Sequence, residues 1–159
     1  PTFTATNDQG SDVASTEMIL EGTYNYWFDV FFNEDEKQDP LVSGPEGDAL
    51  GDGVLNIFKY VFAYPARLSP VPDGIPQFGT VFVDDKEYIS LTYTYDITAT
   101  DVTLTVRVSG GLDTWNSGPG FTTEISRESN LDGTETVVVR DNIPIGDEVT
   151  RFIQLLATY

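Results

Sequence analysis

The chain has 159 residues, and 40% of them are hydrophobic, including ten Phe, eight Tyr and two Trp. This composition predicts one domain with a substantial core rather than a disordered acidic tail, which would lack aromatic residues. The formal net charge of −18 argues against nucleic acid and anionic membranes as partners, because both attract Lys and Arg. The absence of Cys and His excludes zinc sites, cysteine nucleophiles and Ser-His-Asp triads.

Residues 1–16 are polar and rich in Thr. Phe3 and Ala5 alternate with Thr, which predicts one short strand. Two interpretations stay open: a loose terminal arm, or an arm that pairs with the sheet edge of a neighbouring subunit. Under the second interpretation Phe3, Thr4 and Ala5 are the candidate assembly residues, because no obvious partner strand lies next to them in the sequence.

Residues 17–32 are mostly apolar. Trp27, Val30 and Phe31 stand at positions i, i+3 and i+4, which predicts a short helix beginning near Thr23. The segment is also rich in aromatic and β-preferring residues, so a strand stays open as an alternative. We expect Trp27 to belong to the core.

Residues 33–52 carry seven Asp or Glu residues against a single basic residue, Lys37. Repulsion among the carboxylates opposes compact structure unless cations or solvent intervene. Asp39-Pro40 and the Ser-Gly-Pro sequence at 43–45 indicate turns. We therefore predict a solvated loop.

The stretch 48–60 reads DALGDGVLNIFKY and partly matches an EF-hand calcium loop. Short-spaced oxygen ligands, a Gly at the sharp bend and a helix leaving the loop are typical of calcium sites, with the template D-x-[DN]-x-[DN]-G-x5-E. The candidate calcium ligands are Asp48, Asp52, the Val54 carbonyl and Asn56, with help from Glu46 or Asp39.

The template fails at two positions. Leu50 stands at position 3, and Lys59 stands at position 12, where a bidentate Glu is expected. Two alternatives follow. Neighbouring carboxylates supply the missing ligands to calcium, or the Lys59 ammonium neutralises the loop without a metal.

Residues 54–64 are apolar on nearly all sides, which predicts a buried helix that ends at Pro65. Residues 65–79 contain four prolines, including Pro65, and a Pro-Asp-Gly turn, so we expect an ordered linker. The predicted organisation is an arm at 1–16, a helical element at 17–64, a linker at 65–79 and a β-sandwich at 80–159. Residues 17–159 are expected to form one compact unit.

From residue 80 onward the hydrophobic period changes to two. Several short alternating strands separated by turns predict an antiparallel β-sandwich, with the helical element packed on it. The fold class is therefore mainly β. The predicted strands are 80–83, 88–95, 102–109, 121–127, 135–140 and 151–158.

Trp115 lies in a glycine-rich loop, GGLDTWNSGPG, between two predicted strands. It is interpreted either as a loop anchor or as a platform on which a sugar ring stacks. The 26 acidic residues make a pair of carboxylates available almost anywhere, so their abundance does not indicate a glycosidase. We expect no enzymatic activity.

The stretch 48–60 resembles a segment, DxDGDGLxNLLEYALG, of a C-terminal region common in large secreted proteins of polysaccharide-degrading bacteria. That region is a relative of dockerin and thrombospondin-type calcium repeats. The resemblance continues from about residue 25 to the end of the chain, with VTLTVRVSGGLDTW at 102–115 and RFIQLL at 151–156. It departs from the family pattern at Leu50 and Lys59, which fall on metal ligands.

The resemblance implies an extracellular, non-catalytic module with calcium as its cofactor. Because the chain begins with Pro1 rather than Met, we expect a processed or excised product. The first function hypothesis is a structural or interaction protein of the bacterial surface, with other copies of itself or a surface component as partner and filaments built through the N-terminal arm. The alternatives are a carbohydrate-binding module that takes polysaccharide, and a sorting or stalk domain of a larger secreted enzyme.

Overall fold

The structure, a computed structural model, describes residues 2–7, 10–15, 22–68, 76–148 and 150–159. The protein is mainly β, with all strand pairs in its sheets antiparallel. The strands are β1 Thr2–Asn7, β2 Gly10–Ser15, β3 Gln77–Val83, β4 Lys86–Asp96, β5 Thr103–Ser109, β6 Asn116–Ser117, β7 Thr122–Ser129, β8 Thr134–Asp141 and β9 Phe152–Thr158. The helices are α1 Tyr24–Phe31, a 3-10 helix Glu36–Gln38, α2 Pro40–Ser43 and α3 Asn56–Val61.

Two sheets form the sandwich. One has the strand order β3-β4-β8-β7 and the other β6-β5-β9. All six strands predicted from the period-two pattern are present, which confirms the antiparallel sandwich. The tight turn between β3 and β4 places Asp84 and Asp85 at φ 49° and 61°. Both residues tolerate this left-handed conformation better than most non-glycine residues.

The core lies between the two sheets and extends under the helices. Leu91 of β4 and Val137 of β8 are fully buried, since each points from the four-stranded sheet toward the other sheet. The buried residues of the facing strands are Val106, Val108, Ile153 and Leu155. A buried ion pair links the sheets at one end, with Nε of Arg151 2.7 Å from Oδ2 of Asp141.

Helix α1 begins where the sequence predicts it. The side chain of Thr23 caps the helix by accepting a hydrogen bond from the backbone N–H of Tyr26, as N-cap residues do. Trp27 is buried in the core, and its indole N–H donates to the carbonyl of Tyr64 at 2.9 Å. The helix and the core position of Trp27 are confirmed, and the strand alternative for this segment is wrong.

The helical element is fastened to the sandwich by one carboxylate. Asp101, just before β5, accepts a hydrogen bond from the backbone N–H of Tyr24 at 2.7 Å and another from the hydroxyl of Tyr60. The rings of Tyr24 and Tyr60 meet edge to face, 5.4 Å between centroids, and both belong to the hydrophobic cluster that includes Leu91 and Val106. Helices and sandwich therefore share one core.

The acidic segment 33–52 is not a plain loop, which corrects the sequence-based prediction. It contains the 3-10 helix and α2. Asp39 starts α2, because its carboxylate accepts a hydrogen bond from the backbone N–H of Leu41, and Pro40 fits the first helical position, which needs no donor. Local capping thus overcomes the repulsion that the sequence suggested.

Helix α3 covers Asn56–Val61, which is shorter than the predicted range 54–64. Its start is set by the loop, because the backbone N–H of Asn56 donates to the carbonyl of Gly47 at 2.8 Å. Its end is set by Ala63, which adopts a φ of 61°, outside the helical region. The predicted linker 65–79 is also shorter than expected, since β3 begins at Gln77; its Pro-Asp-Gly turn lies outside the described residues.

The N-terminal arm forms two strands, where the sequence predicted one. β1 pairs with β2 in a register that places Phe3 opposite Ala14 and Asn7 opposite Gly10. The expectation that no partner strand lies nearby in the sequence is therefore wrong. The partner was missed because GSDVAS has few of the residues that favour strands.

Over the part of the chain that the structure describes, no helix is long and apolar enough to cross a membrane.

Candidate functional site

The acidic loop 47–56 is held in shape by the carboxylate of Asp48. Oδ1 of Asp48 accepts a hydrogen bond from the backbone N–H of Gly51 at 2.9 Å, and Oδ2 accepts one from Gly53 at 2.7 Å. Gly51 and Gly53 adopt φ values of 73° and 83°, which glycine reaches at no steric cost. The sharp turn is therefore closed by backbone hydrogen bonds to one carboxylate.

Lys59 extends from α3 into this loop. Its side chain is fully buried, and its Nζ lies 3.1 Å from Oδ1 of Asp52 and 3.9 Å from Oδ1 of Asp48. The same ammonium donates a hydrogen bond to the carbonyl of Ala66 at 3.2 Å. A fully buried ammonium requires this kind of pairing, because burying an isolated charge is very costly.

Asn56 acts as a clamp on the segment before the loop. Its side-chain N–H groups donate to the carbonyls of Val42 and Gly44 at 2.7 and 2.9 Å, and its carbonyl oxygen accepts from the backbone N–H of Ala49 at 3.3 Å. Asn56 is completely buried. Both the N–H groups and the carbonyl oxygen of its amide are therefore hydrogen-bonded to the backbone.

The other predicted ligands are dispersed. Asp39 caps α2, and Glu46 is exposed. Asp52 accepts a hydrogen bond from the backbone N–H of Val54. Val54 therefore contributes its N–H to the loop, whereas the predicted calcium ligand was its carbonyl. No group of three or more Asp and Glu residues suited to hold a metal ion occurs within the described ranges.

These contacts test whether the residues fit calcium. Calcium takes six to eight oxygen ligands at about 2.3–2.6 Å. Of the predicted set, Asp48 and Asp52 lie together, but the Lys59 ammonium faces both carboxylates from within the protein. A dication among the same oxygens would stand close to that ammonium and be repelled. In this geometry the residues do not fit a calcium ion.

The hydrogen bonds to Asp48 also determine its acidity. Burial alone would raise the pKa of the Asp48 carboxyl, but the backbone N–H donors of Gly53, Gly51, Asp52 and Leu50 outweigh burial and lower the pKa below its usual value. Hydrogen bonds to the charged form have this effect. Asp48 is therefore a structural anion of the folded state.

A second feature is a groove along the open edge of β9. Three adjoining depressions share Gln154, and the largest has a volume of about 1000 Å³. We call this feature the β9 groove. The side chains that line it and carry the argument below are Leu41, Leu55, Phe58, Phe78, Trp115 and Gln154.

The β9 groove lies where the edges of the two sheets face each other. β3 is at the edge of the four-stranded sheet and β9 at the edge of the three-stranded sheet, as far as the described strands go. Phe78 of β3 is 71% exposed and lines the groove beside Ile153 and Gln154 of β9. The groove is thus an apolar cleft bordered by strand edges.

The sheet edges are not protected equally. β7 carries a register shift between Glu124 and Ser126, and Arg127 forms ion pairs with Glu124 and Glu135. Bulges and charges are the usual means of preventing strand addition at an edge. β3 and β9 contain neither an Asp, a Glu, a Lys nor an Arg. The two strands that border the groove therefore lack the charged residues that protect β7.

Trp115 lies half-buried at one end of the β9 groove. Its indole N–H donates to the carbonyl of Leu112 at 3.1 Å, and the guanidinium of Arg107 lies 5.3 Å from the ring centroid. The hydroxyl of Ser109 closes the same loop by accepting from the backbone N–H of Leu112. These contacts hold the loop in place, and they leave part of the ring facing the groove.

The predicted assembly residues Phe3, Thr4 and Ala5 all lie in β1, opposite Ala14, Val13 and Asp12 of β2. Sequence reasoning missed the β9 groove altogether. The available signal was the pair of phenylalanines in QFGTVFV, on a strand without charges.

Comparisons of the chain with protein-family models, curated proteins and solved structures gave no match. The fold and the two sites above therefore stand on their own geometry. The protein is a mainly β sandwich that carries an acidic loop with part of the calcium-loop pattern. Among the described strands, the outer edge of β9 has no partner strand.

Proposed function

We propose that this chain is an extracellular, non-enzymatic structural protein of the bacterial surface that assembles with copies of itself. In this proposal the N-terminal hairpin of one copy docks into the β9 groove of the next. The observation that carries the proposal is the unprotected edge of β9, bordered by the exposed Phe78. Exposed strand edges of this kind accept extended segments from other chains.

The acceptor side supports the addition of a strand. The sheet that contains β9 has three strands, and its partner sheet has four. A strand paired with β9 would give both sheets four strands and would cover the apolar side chains of Phe58 and Phe78. Backbone hydrogen bonds would supply affinity, and the pockets along the groove would supply specificity.

The donor side has the matching geometry. β1 has six residues and β9 has seven, so their lengths agree. A two-stranded hairpin is marginally stable at best in water, so β1 and β2 gain stability from joining a larger sheet. β1 uses one edge to pair with β2, and its other edge is the one proposed to meet β9.

The charge of the chain favours specific over indiscriminate association. With a net charge of −18, copies repel one another at low ionic strength, and salt reduces this repulsion. A hairpin that leaves one copy and enters the groove of the next makes a head-to-tail contact. A contact of this type forms a ring or an open filament.

The proposed extracellular location and lack of catalysis are drawn from the sequence resemblance described above, which is to a secreted, non-catalytic region. Asp39 and Asp132 have structural roles that fit this proposal, because each accepts a hydrogen bond from a backbone N–H, at a helix cap and in a turn.

Removal of the arm tests the proposal. The chain without residues 1–16 is expected to fold, because the hydrophobic cluster is built from residues 24–155. It should melt cooperatively and stay monomeric in light scattering at high concentration and raised salt. The full chain should form higher species under the same conditions. Full chain that stays monomeric would contradict the proposal.

A matched pair of variants tests the groove. Phe78 and Phe82 lie on the same strand, four residues apart, and are 71% and 73% exposed, but only Phe78 lines the groove. Phe78→Thr should abolish the higher species, and Phe82→Thr should leave them unchanged. Equal loss in both variants would show that exposed apolar area alone drives association.

A carbohydrate-binding module is the second candidate function. It is favoured by the partly exposed ring of Trp115 at the groove's end, because aromatic rings stack on sugars. The assembly proposal ranks first, since the ring already has Arg107 on one face and the groove continues far beyond Trp115 along β9.

A further inference from the structure

We propose that the ammonium of Lys59 is the resident cation of the acidic loop, in the place that calcium holds in loops of this pattern. The fold would then be independent of calcium. This inference concerns the loop alone and does not rest on the proposed function.

The position of Lys59 in the loop pattern is the first argument. In a calcium loop, position 12 supplies a bidentate carboxylate from the helix that leaves the loop. Lys59 occupies this position and extends from α3 toward the same oxygens, with Nζ 3.1 Å from Asp52 and 3.9 Å from Asp48. A cation therefore stands at position 12, where the calcium-loop template has a metal ligand.

The burial of Lys59 is the second argument. The side chain has no exposed surface, so its charge must be balanced inside the protein. Asp52 and Asp48, at 20% and 23% side-chain exposure, provide the opposite charge, and the carbonyl of Ala66 accepts a hydrogen bond. The ammonium is bound from three directions.

The state of the remaining ligand positions is the third argument. The amide of Asn56 bonds to Val42, Gly44 and Ala49, and Leu50 supplies no ligand at position 3. The backbone N–H groups of Gly51 and Gly53 hold the carboxylate of Asp48. The loop is thus closed by its own hydrogen bonds and one ammonium.

The test compares thermal unfolding of the full chain in millimolar calcium and in EDTA, with magnesium at the same concentration as a control for general screening. The parent chain should have the same midpoint in all three. Lys59→Glu restores the ligand at position 12 and should become calcium-dependent. Its midpoint should rise by roughly 5–10 °C at a hundredfold excess of calcium over the dissociation constant.

Lys37→Glu is the matched control for charge. Lys37 also contacts two carboxylates, Asp29 at 2.9 Å and Glu34 at 3.0 Å, but it lies outside the loop. It should gain no specific response to calcium over magnesium. If Lys59→Glu fails to fold in EDTA, recovery of its circular dichroism on adding calcium would support the inference.

Two results would overturn the inference. The first is a parent chain whose midpoint rises in calcium but not in magnesium. The second is a Lys59→Glu chain with no preference for calcium, whether folded or unfolded in EDTA. Neither result bears on the assembly proposal, which is tested through residues 1–16 and Phe78.

Discussion

The ammonium nitrogen of Lys59 lies 3.1 Å from Oδ1 of Asp52, in a loop whose sequence matches three of the five specified positions of a calcium-binding template. The ion pair joins the last turn of α3 to the loop that precedes the helix. Since Lys59 also bonds to Ala66 beyond the helix, one side chain ties together three consecutive segments. The same ammonium therefore neutralises the acidic loop and holds α3 against the segments before and after it.

Removal of the Lys59 charge should cost much more stability than removal of an exposed one. Lys59→Met keeps the aliphatic stem but leaves the Asp52 carboxylate without its counter-charge and the Ala66 carbonyl without its donor, and breaking a buried pair costs about 3–5 kcal/mol. Lys37→Met, at a more exposed site whose partners face solvent, should cost much less, because solvent screens exposed ion pairs. Urea unfolding of both variants gives the comparison, and equal losses would contradict the structural role of Lys59.

The sequence predicted the sandwich because apolar and polar residues alternate clearly in β4, β5 and β9. It could not predict β6, whose two residues carry no period, or the hairpin, because β2 pairs through its backbone despite weak strand preferences. The β9 groove was also out of reach. It arises where β3 and β9 meet across two sheets, and no local pattern reports that juxtaposition.

The acidic loop shows a different limit. The sequence predicted that Asp48, Asp52 and Lys59 share one loop, and these three side chains do lie together, whereas Asp39 caps α2 and Glu46 is exposed. It left two interpretations of Lys59 open, as a failed ligand and as an internal cation. It could not choose between them, because a long flexible side chain can extend into solvent or turn inward. The choice depends on Ala66, whose carbonyl receives the ammonium and which is brought close only by tertiary folding.

Asp48 should make the protein sensitive to acid. Its folded pKa is lowered from the usual value of 3.8, so its stabilising contribution is fully present above that value and is lost as pH falls through the lowered pKa. The difference in free energy of unfolding between the parent chain and Asp48→Asn should be constant above about pH 5 and shrink at lower pH. Urea unfolding at several pH values measures it, and a difference that stays constant in acid would contradict the lowered pKa.

The fluorescence of Trp115 should respond to assembly rather than to sugar binding. Trp27 and Trp115 are the two tryptophans of the chain, so Trp27→Phe leaves Trp115 as the sole source of indole emission. Burial of its groove-facing side by a docked hairpin should shift the emission to shorter wavelength as higher species form. Soluble polysaccharides should cause no shift, and the chain without residues 1–16 should show none at any concentration.

The opposite result for Trp115 has a clear meaning. A shift on adding polysaccharide that disappears in Trp115→Ala, with that variant still folded, would favour the carbohydrate-binding module. Loss of stability in Trp115→Ala without any glycan response would instead be expected from its loop contacts with Leu112 and Arg107.

The most direct measurement of the central claim is a complementation experiment. The full chain with Phe78→Thr has an intact hairpin and a damaged groove, and the chain without residues 1–16 has an intact groove and no hairpin. Each alone should be monomeric in size-exclusion chromatography with light scattering, and an equimolar mixture should form heterodimers and stop there, because one hairpin and one groove are available. A mixture that stays monomeric, or a truncated chain that assembles by itself, would contradict docking of the hairpin into the β9 groove.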